Sequence, residues 1–283
     1  MRAVLEGYRN AIHILGLGAG LGFATRELIG GVEPLPIRLA ENGSGRPIWA
    51  RPKSTDLDIF DQIFRRREYD FSHWTPYWDH MRAVYDGIVA QGRTPLIIDG
   101  GANAGYSPIW FALTFPKAKV LAVEPDAANF EMLSRNVAAF DSIAPVEAAL
   151  WNERATVAIV DPSDWAWGRR FDAAADGPGI PSVTVPELMA RVADASPFII
   201  KIDIEGAETK LLRSQTEWMD AFPLVVFETH DQMFHWLGPW QGSAHSFFST
   251  LSRRKREYLI KGENMFAFLH PDAAATGASA AAA

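Results

Sequence analysis

The sequence contains no cysteine, no excess of basic residues and no long apolar run. Without cysteine, a disulfide scaffold, a thiolate zinc site and a cysteine nucleophile are excluded, so any catalysis must come from oxygen and imidazole groups. The 34 acidic residues outnumber the 27 basic ones and give a net charge of -7, which offers no electrostatic footprint for nucleic acid. We therefore expect no nucleic-acid partner, and the absence of thiols is compatible with a cytoplasmic protein.

Residues 11–23 are apolar and rich in glycine, but this segment is shorter than the roughly 20 residues that cross a bilayer. It could be the apolar region of a secretory signal, but Glu6 and the lack of a small-x-small cleavage site before Glu27 argue against that. Its glycines could also form a nucleotide loop, but no strand of convincing length precedes them. We expect no membrane span and a flexible or surface-packed leader, and we assign no function to residues 1–40.

The size and composition predict one sizeable core. The chain has 283 residues, 48% of them hydrophobic, which suits one domain with additions or at most two domains. We expect an N-terminal extension and helical cap over residues 1–92, a cofactor-binding domain over 93–270 and a disordered alanine-rich tail over 271–283.

A glycine-rich turn between two apolar strands predicts a nucleoside-cofactor site. The run of residues 96–98 ends at Asp99, and residues 100–105 read Gly-Gly-Ala-Asn-Ala-Gly. The next apolar run, residues 119–123, ends at Glu124. An acid roughly 20 residues after a glycine turn is placed to accept hydrogen bonds from a ribose diol.

Asp99 favours one cofactor over another. A dinucleotide places a pyrophosphate over the turn, where a carboxylate would repel it. S-adenosylmethionine instead brings an ammonium and a sulfonium to this position, and an acid attracts both. The dinucleotide fingerprint at residues 100–105 is therefore a weaker interpretation than an S-adenosylmethionine site. A glycine turn in some unrelated α/β domain is also a weaker interpretation.

Four motifs in order carry a family resemblance. They are Ile98-Asp-Gly-Gly-Ala-Asn-Ala-Gly-Tyr106, Val123-Glu-Pro-Asp126 with Asn129-Phe130, Lys201-Ile-Asp-Ile-Glu-Gly-Ala-Glu208 and Phe227-Glu-Thr-His230. Over about residues 54–269 the chain resembles the FkbM-type family of S-adenosylmethionine-dependent methyltransferases. The resemblance implies O-methylation of a hydroxyl on a sugar, glycan or polyketide-type metabolite, with S-adenosylmethionine as cofactor.

The resemblance also implies roles for individual residues. Asp99 and the glycine turn would hold the methionine part, Glu124 the ribose hydroxyls, and Asn129 or residues near Ala149 the adenine. Asp203 would lie near the methyl group and the acceptor. The full set of cofactor-binding candidates is Asp99, Gly100, Gly101, Ala102, Asn103, Gly105, Tyr106, Glu124, Pro125, Asn129, Ala149 and Asp203.

Alternating strands and helices predict an α/β fold with a mainly parallel sheet. We expect helices at 127–140 and 186–192, strands at 146–150, 198–203 and 224–227, and a terminal hairpin at 256–269. With the resemblance, this implies the Rossmann-like class I methyltransferase architecture, whose seven-stranded sheet ends in an antiparallel strand.

Ligands of open parallel sheets bind at the carboxyl ends of the strands. We therefore expect acids and a histidine to converge there, namely Asp99, Glu124, Asp203, Glu205, Glu228 and His230. The catalytic candidates are Asp203, Glu205 and His230. His230 has the ordinary pKa of a base near neutrality, and one of the two carboxylates competes with it if burial or the neighbouring acid raises its pKa.

The same oxygen and imidazole groups could instead hold a hard cation. Their spacing does not demand a metal, so we expect metal-free transfer.

Two further segments are candidates for covering the site. Residues 54–69 predict a helix capped by Ser54 or Thr55, which either covers the site or is an ordinary packing helix. Within it Asp56 and Tyr69 are site candidates. Residues 161–181 lack periodicity and are expected to form a variable lid or a surface insertion. Four side chains of this stretch would suit a glycan or acidic metabolite: Trp165, Trp167, Arg169 and Arg170.

Three hypotheses on function remain. An O-methyltransferase acting on a small-molecule or glycan acceptor is the first. The others are an NAD(P)-dependent oxidoreductase, and a non-catalytic relative that binds S-adenosylmethionine and acts through a protein partner. The sequence leaves the acceptor and the oligomeric state open.

Overall fold

The fold is described from a computed structural model. The structure describes residues 2–31, 33–38, 47–161, 170–173, 179–205, 207–230 and 243–271. The α-helices are α1 (Arg2–Leu15), α2 (Leu17–Leu28), α3 (Asp56–Phe60), α4 (Thr75–Ala90), α5 (Tyr106–Thr114), α6 (Ala127–Val137), α7 (Val185–Met189), α8 (Glu208–Leu211) and α9 (Ser243–Leu251). The strands are β1 (Leu35–Arg38), β2 (Pro47–Ala50), β3 (Thr94–Gly100), β4 (Lys119–Glu124), β5 (Ile143–Glu147), β6 (Ala149–Leu150), β7 (Thr156–Asp161), β8 (Arg170–Ala173), β9 (Ile180–Val183), β10 (Ala195–Ile202), β11 (Leu224–Glu228), β12 (Arg256–Lys261) and β13 (Asn264–Leu269). A π-helix covers Asp61–Arg65 and a 3-10 helix Glu217–Ala221.

The main sheet has seven strands in the order β12-β13-β11-β10-β3-β4-β5. Six of the seven strands run in the same direction, and β13 is reversed, because it pairs antiparallel with both β11 and β12. The α/β class, the mainly parallel seven-stranded sheet and the terminal hairpin are thereby confirmed as the class I architecture that the resemblance implied. Because β3 lies between β10 and β4, the turn after β3 is at the centre of the sheet's carboxyl edge.

Helices cover both faces of this sheet, and each face has its own hydrophobic cluster. Successive residues of β3 alternate between them: Ile97 belongs to one cluster, and Leu96 and Ile98 belong to the other. Burial on both faces explains why the central strands are continuous apolar runs.

The N-terminal helices pack on the first of these clusters. Ala11, Ile14 and Phe23 are buried in the same cluster as Ile97. Residues 11–23 therefore form parts of α1 and α2 that pack on the core. None of the described helices combines the length and apolarity needed to cross a membrane.

Several predicted boundaries are wrong. The helix predicted over residues 54–69 is the short α3 followed by the π-helix, and the helix predicted over 127–140 ends at Val137. The strand predicted at 146–150 is divided between β5 in the main sheet and β6, which pairs with β9. The predicted lid contains β8, which pairs with β7. Within that stretch, Trp165, Trp167, Arg169 and the side chain of Arg170 lie outside the described residues. The predicted disordered tail also lies outside them from residue 272 onward.

Candidate active site

The turn between β3 and α5 is built on backbone conformations that favour glycine. Gly101 and Gly105 have φ angles of +76° and +92°. A Cβ on Gly101 would lie 1.7 Å from the carbonyl oxygen of Asp203, so the turn can pack against the end of β10 only when residue 101 has no side chain. The N–H groups of Gly101 and Ala102 both donate to the carbonyl of Val123 at 3.0 Å, which joins the turn to β4.

A cavity of about 500 Å³ opens above this turn. The predicted residues on its wall are Gly101, Ala102, Asn103, Tyr106, Glu124, Pro125, Asn129, Ala149, Asp203, Glu205, Glu228 and His230. The structure therefore brings together groups from the carboxyl ends of four neighbouring strands. Asp99, Gly100 and Gly105 belong to the same turn but are not part of the wall.

Glu124 is fixed at the end of β4 by backbone donors. The N–H of Asn103 donates to its Oε2 at 2.8 Å and the N–H of Asp126 to its Oε1 at 2.9 Å. The residue is 5% exposed, and burial raises the pKa of its carboxyl to about 7, against the opposing effect of hydrogen bonds from the Asn103 N–H and the Asn129 side chain. Asp126 in turn caps α6 by accepting from the N–H groups of Ala128 and Asn129.

Asp99 lies under the turn. Its Oδ2 accepts from the hydroxyl of Ser107 at 2.6 Å, and its Oδ1 is 3.1 Å from Nζ of Lys201. Burial raises the pKa of Asp99, while Lys201 and Ser107 oppose that shift.

Lys201 is a functional candidate that sequence reasoning missed. It is 1% exposed and its Nζ lies 3.2 Å from Oδ2 of Asp203, as well as close to Asp99. Burial lowers the pKa of Lys201, but Asp203 and Asp99 more than offset this, so the pKa lies well above its usual range. A lysine inside the apolar run of residues 198–202 was the available signal, because a buried charge requires partners.

His230 is held between carboxylates. Its Nδ1 is 2.8 Å from Oε1 of Glu208, and its Nε2 is 3.5 Å from Oδ1 of Asp203. Glu205 and Glu228 each place a carboxylate oxygen 3.8 Å from the same Nε2. Burial lowers the pKa of His230, but Glu208 and Asp203 outweigh it and raise the pKa to about 12. The imidazole is therefore protonated near neutral pH.

The carboxylates around His230 have different proton affinities. Burial raises the pKa of Asp203, but Lys201 and His230 reverse this and hold it below the usual range. Burial and the charge of Asp203 raise the pKa of Glu205 to about 8 and that of Glu228 to about 9. One permanent anion thus stands beside two groups that exchange protons near neutral or weakly basic pH.

Among the described residues, Asp203, Glu228 and His230 form a group that could hold a metal ion, with one ligand atom from each lying within 4.8 Å of the others. Oxygen and imidazole donors of this kind suit divalent cations. The two buried cations beside Asp203 already neutralise part of the same negative charge.

The N-terminal segment forms another wall of the cavity. Its contributors are Thr55, Asp58, Ile59, Gln62, Ile63 and Tyr69. Asp56, another predicted candidate, is buried and pairs with Arg51, whose Nη2 also donates to Oδ1 of Asn129 at 2.8 Å. The extension is therefore tied to the predicted adenine side through Arg51. Asp58 and Gln62 were missed because a helix of uncertain register does not reveal which face it presents.

Comparison with known proteins finds a methyltransferase family model and a methyltransferase relative. Residues 99–258 match the family model of the methyltransferase FkbM domain. A stretch of 81 residues is 41% identical to the methyltransferase sdnD of Sordaria araneosa and covers 29% of this chain and 30% of that protein. The chain thus matches less than a third of the length of this relative.

Two solved structures are also similar. An O-methyltransferase from Bacillus cereus in complex with SAH has a TM-score of 0.38 at 12% identity, covering 77% of this chain and 92% of that one. A precorrin-6y C5,15-methyltransferase from Geobacter metallireducens GS-15 has a TM-score of 0.35 at 12% identity, covering 67% and 87%.

Proposed function

The chain belongs to the FkbM family of methyltransferases, and from this premise we propose that it transfers the methyl group of S-adenosylmethionine to a hydroxyl of a small-molecule or glycan acceptor. The observation that carries the proposal is the cavity that joins Glu124 and the glycine turn to the acids around Asp203. One end suits a nucleoside, and the other suits a cation beside a group that can accept a proton.

The cofactor fits this cavity by charge and hydrogen bonding. Glu124 would accept from the ribose hydroxyls, with Asn129 and Ala149 on the adenine side and Asn103 and Tyr106 along the turn. The sulfonium carries a positive charge, which Asp203 at the cavity wall attracts. For Asp99, which lies beneath the turn, we propose support of the turn in place of direct contact.

Methyl transfer needs alignment and removal of one proton. The acceptor oxygen forms a bond to the methyl carbon as the carbon–sulfur bond breaks, its hydroxyl proton passes to a base, and the sulfonium becomes the neutral thioether of S-adenosylhomocysteine. We assign the base to Glu205, because the pKa of about 8 matches the working range of a base. His230 is already protonated in this arrangement, so it would orient Asp203 and stabilise charge.

Calorimetric titration with S-adenosylmethionine, S-adenosylhomocysteine and NAD tests the cofactor. We expect the first two to bind and Glu124→Ala to weaken both, because the ribose hydroxyls lose their acceptor. The matched control is Glu147→Ala, since Glu147 is the exposed register partner of Glu124 on β5. Binding of NAD alone would overturn the proposal and move the search to redox substrates.

A screen of acceptors tests the transfer itself. The purified protein is incubated with methyl-labelled S-adenosylmethionine and a panel of sugars, glycans and polyketide-type alcohols, and labelled product is measured. Label on a hydroxyl supports O-methylation. Cofactor binding without transfer to any of them would favour the non-catalytic relative that acts through a protein partner.

A further inference from the structure

Lys201 occupies a position where an apolar residue would be expected. It lies near the end of β10 between Ile200 and Ile202, and its side chain is 2% exposed. Burying an ammonium is costly unless several acceptors surround it. Replacing a buried ion pair by apolar side chains of similar volume is often neutral or stabilising, so stability alone is a weak reason for a lysine here.

The contacts of Lys201 join two parts of the site. Its Nζ donates to the carbonyl oxygens of Gly101 at 3.0 Å and Gly100 at 3.3 Å, which belong to the turn. The same Nζ is 3.1 Å from Oδ1 of Asp99 at the end of β3 and 3.2 Å from Oδ2 of Asp203, which follows the neighbouring strand β10. Its hydrogen bonds thus go to two backbone carbonyls, and its charge pairs with two carboxylates.

Asp203 is consequently held at both of its oxygens. Lys201 lies at Oδ2 and the imidazole of His230 at Oδ1. On the other side, the backbone of Asp203 is in direct contact with Gly101, where even one methyl group does not fit. Any shift of the turn therefore displaces Asp203, and the ammonium is the group that bonds to both.

We propose that Lys201 is a positioning residue that fixes the glycine turn against Asp203 and thereby sets the affinity for the cofactor. The inference rests on the proposed function, because the turn matters only if it holds S-adenosylmethionine. The two carbonyl and two carboxylate oxygens around Nζ all belong to the protein. Lys201 would therefore act on the cofactor through the turn and Asp203.

Three variants separate positioning from charge balance: Lys201→Met, Asp99→Asn and the two combined. Lys201→Met alone leaves buried carboxylates without their cation, and we expect a lower melting temperature and weaker binding of S-adenosylhomocysteine. The double variant removes one of those carboxylates, so its melting temperature should return close to that of Asp99→Asn. Its affinity for S-adenosylhomocysteine should stay about tenfold or more below that of Asp99→Asn, because the charge-assisted hydrogen bonds to the turn are missing.

Equal affinities of the double variant and Asp99→Asn would overturn the proposal, since Lys201 would then only neutralise Asp99. If the methionine variants do not fold, Lys201→Gln combined with Asp99→Asn gives the same comparison, and at least fivefold weaker binding than Asp99→Asn is the supporting result. Equal binding again overturns it.

Failure of the proposed function gives a different result from failure of the proposal for Lys201. If the proposed function is wrong, the unaltered protein itself does not bind S-adenosylhomocysteine. With an acceptor in hand, a second readout is the ratio of kinetic effects: loss of Lys201 should raise KM for S-adenosylmethionine more than KM for the acceptor.

Discussion

We predict that Glu124 couples binding of the proposed cofactor to the release of a proton. Burial raises the pKa of this carboxyl to about 7 in the free protein, so it is mostly protonated at pH 6 and mostly ionised at pH 8. Ribose hydroxyls donate to the ionised form, so binding lowers its pKa and releases a proton. The affinity for S-adenosylhomocysteine should therefore increase between pH 6 and pH 8, by up to about tenfold per pH unit below the pKa. Calorimetry at several pH values measures this directly.

The control for this dependence is Glu124→Gln, which keeps the shape of the side chain and removes its titration. It should bind more weakly and lose most of the rise with pH. An unchanged rise in the variant would assign the proton to another group, such as Glu205, which also titrates near this range.

Glu205 should be required for transfer and dispensable for cofactor binding. Glu205→Gln cannot accept the hydroxyl proton, so we expect kcat to fall by about a hundredfold or more while the affinity for S-adenosylhomocysteine stays within about threefold. In the unaltered protein kcat should increase as pH rises through about 8, because the ionised carboxylate is the active form. The control is Glu153→Gln at an exposed position. If Glu205→Gln retains its rate, the assignment passes to Glu228.

At this scale the sequence predicted the grouping of Glu124 with the glycine turn better than the proton affinities of the groups around His230. Glu124 and the glycine turn are close in the chain, so their spacing predicts a shared site that the fold indeed forms. The choice between His230 and the carboxylates stayed open because the proton affinity of His230 depends on Glu208, and no sequence pattern gives that 2.8 Å separation. Their catalytic roles remain predictions.

The turn between β3 and α5 leaves no room for a side chain at Gly101. Gly101→Ala places a methyl group 1.7 Å from the carbonyl oxygen of Asp203 and forces an alanine to adopt a φ of +76°. We expect it to lower the free energy of unfolding by several kcal/mol, about 3 or more, through strain and overpacking. Denaturant unfolding measures the change.

Gly87→Ala supplies the opposite case. Gly87 lies in α4, and beyond the backbone of its own helix no atom of the described residues comes within 4 Å of the point that a Cβ would occupy. Alanine should therefore raise the free energy of unfolding by about 0.5–1 kcal/mol. Equal effects of the two substitutions would contradict the tight packing of the turn.

Elements with a strong local signal were the ones that the sequence predicted. The central strands β3, β4, β10 and β11 are apolar runs buried on both faces, and Gly262 marks the hairpin between β12 and β13. The strand predicted at 146–150 was misplaced because β5, at the sheet edge, has only two buried residues, Ile143 and Val146, and therefore lacks a continuous apolar run. The π-helix after α3 has no comparable sequence signature.

At the scale of the whole molecule, the segments before and after the predicted boundary at residue 92 pack in one hydrophobic cluster. Ile14 and Phe23 from the N-terminal helices belong to the same cluster as Ile97 and Phe266 of the sheet. Arg51, which pairs with Asp56, also donates to Asn129 across the same boundary. The division into an extension and a cofactor domain remains a prediction, but these contacts couple the stability of the two segments.

This coupling predicts one cooperative unfolding transition. Near-ultraviolet and far-ultraviolet circular dichroism should give coincident denaturant curves, and calorimetric and van't Hoff enthalpies should agree. Because the cavity wall includes Gln62 from the N-terminal segment as well as Glu124 from the sheet, S-adenosylhomocysteine at a hundred times its Kd should stabilise the entire transition by about 2.7 kcal/mol. If two transitions appear and the ligand shifts only one of them, the segment that stays unshifted does not contribute to the site, and the N-terminal wall of the cavity is not part of the cofactor complex.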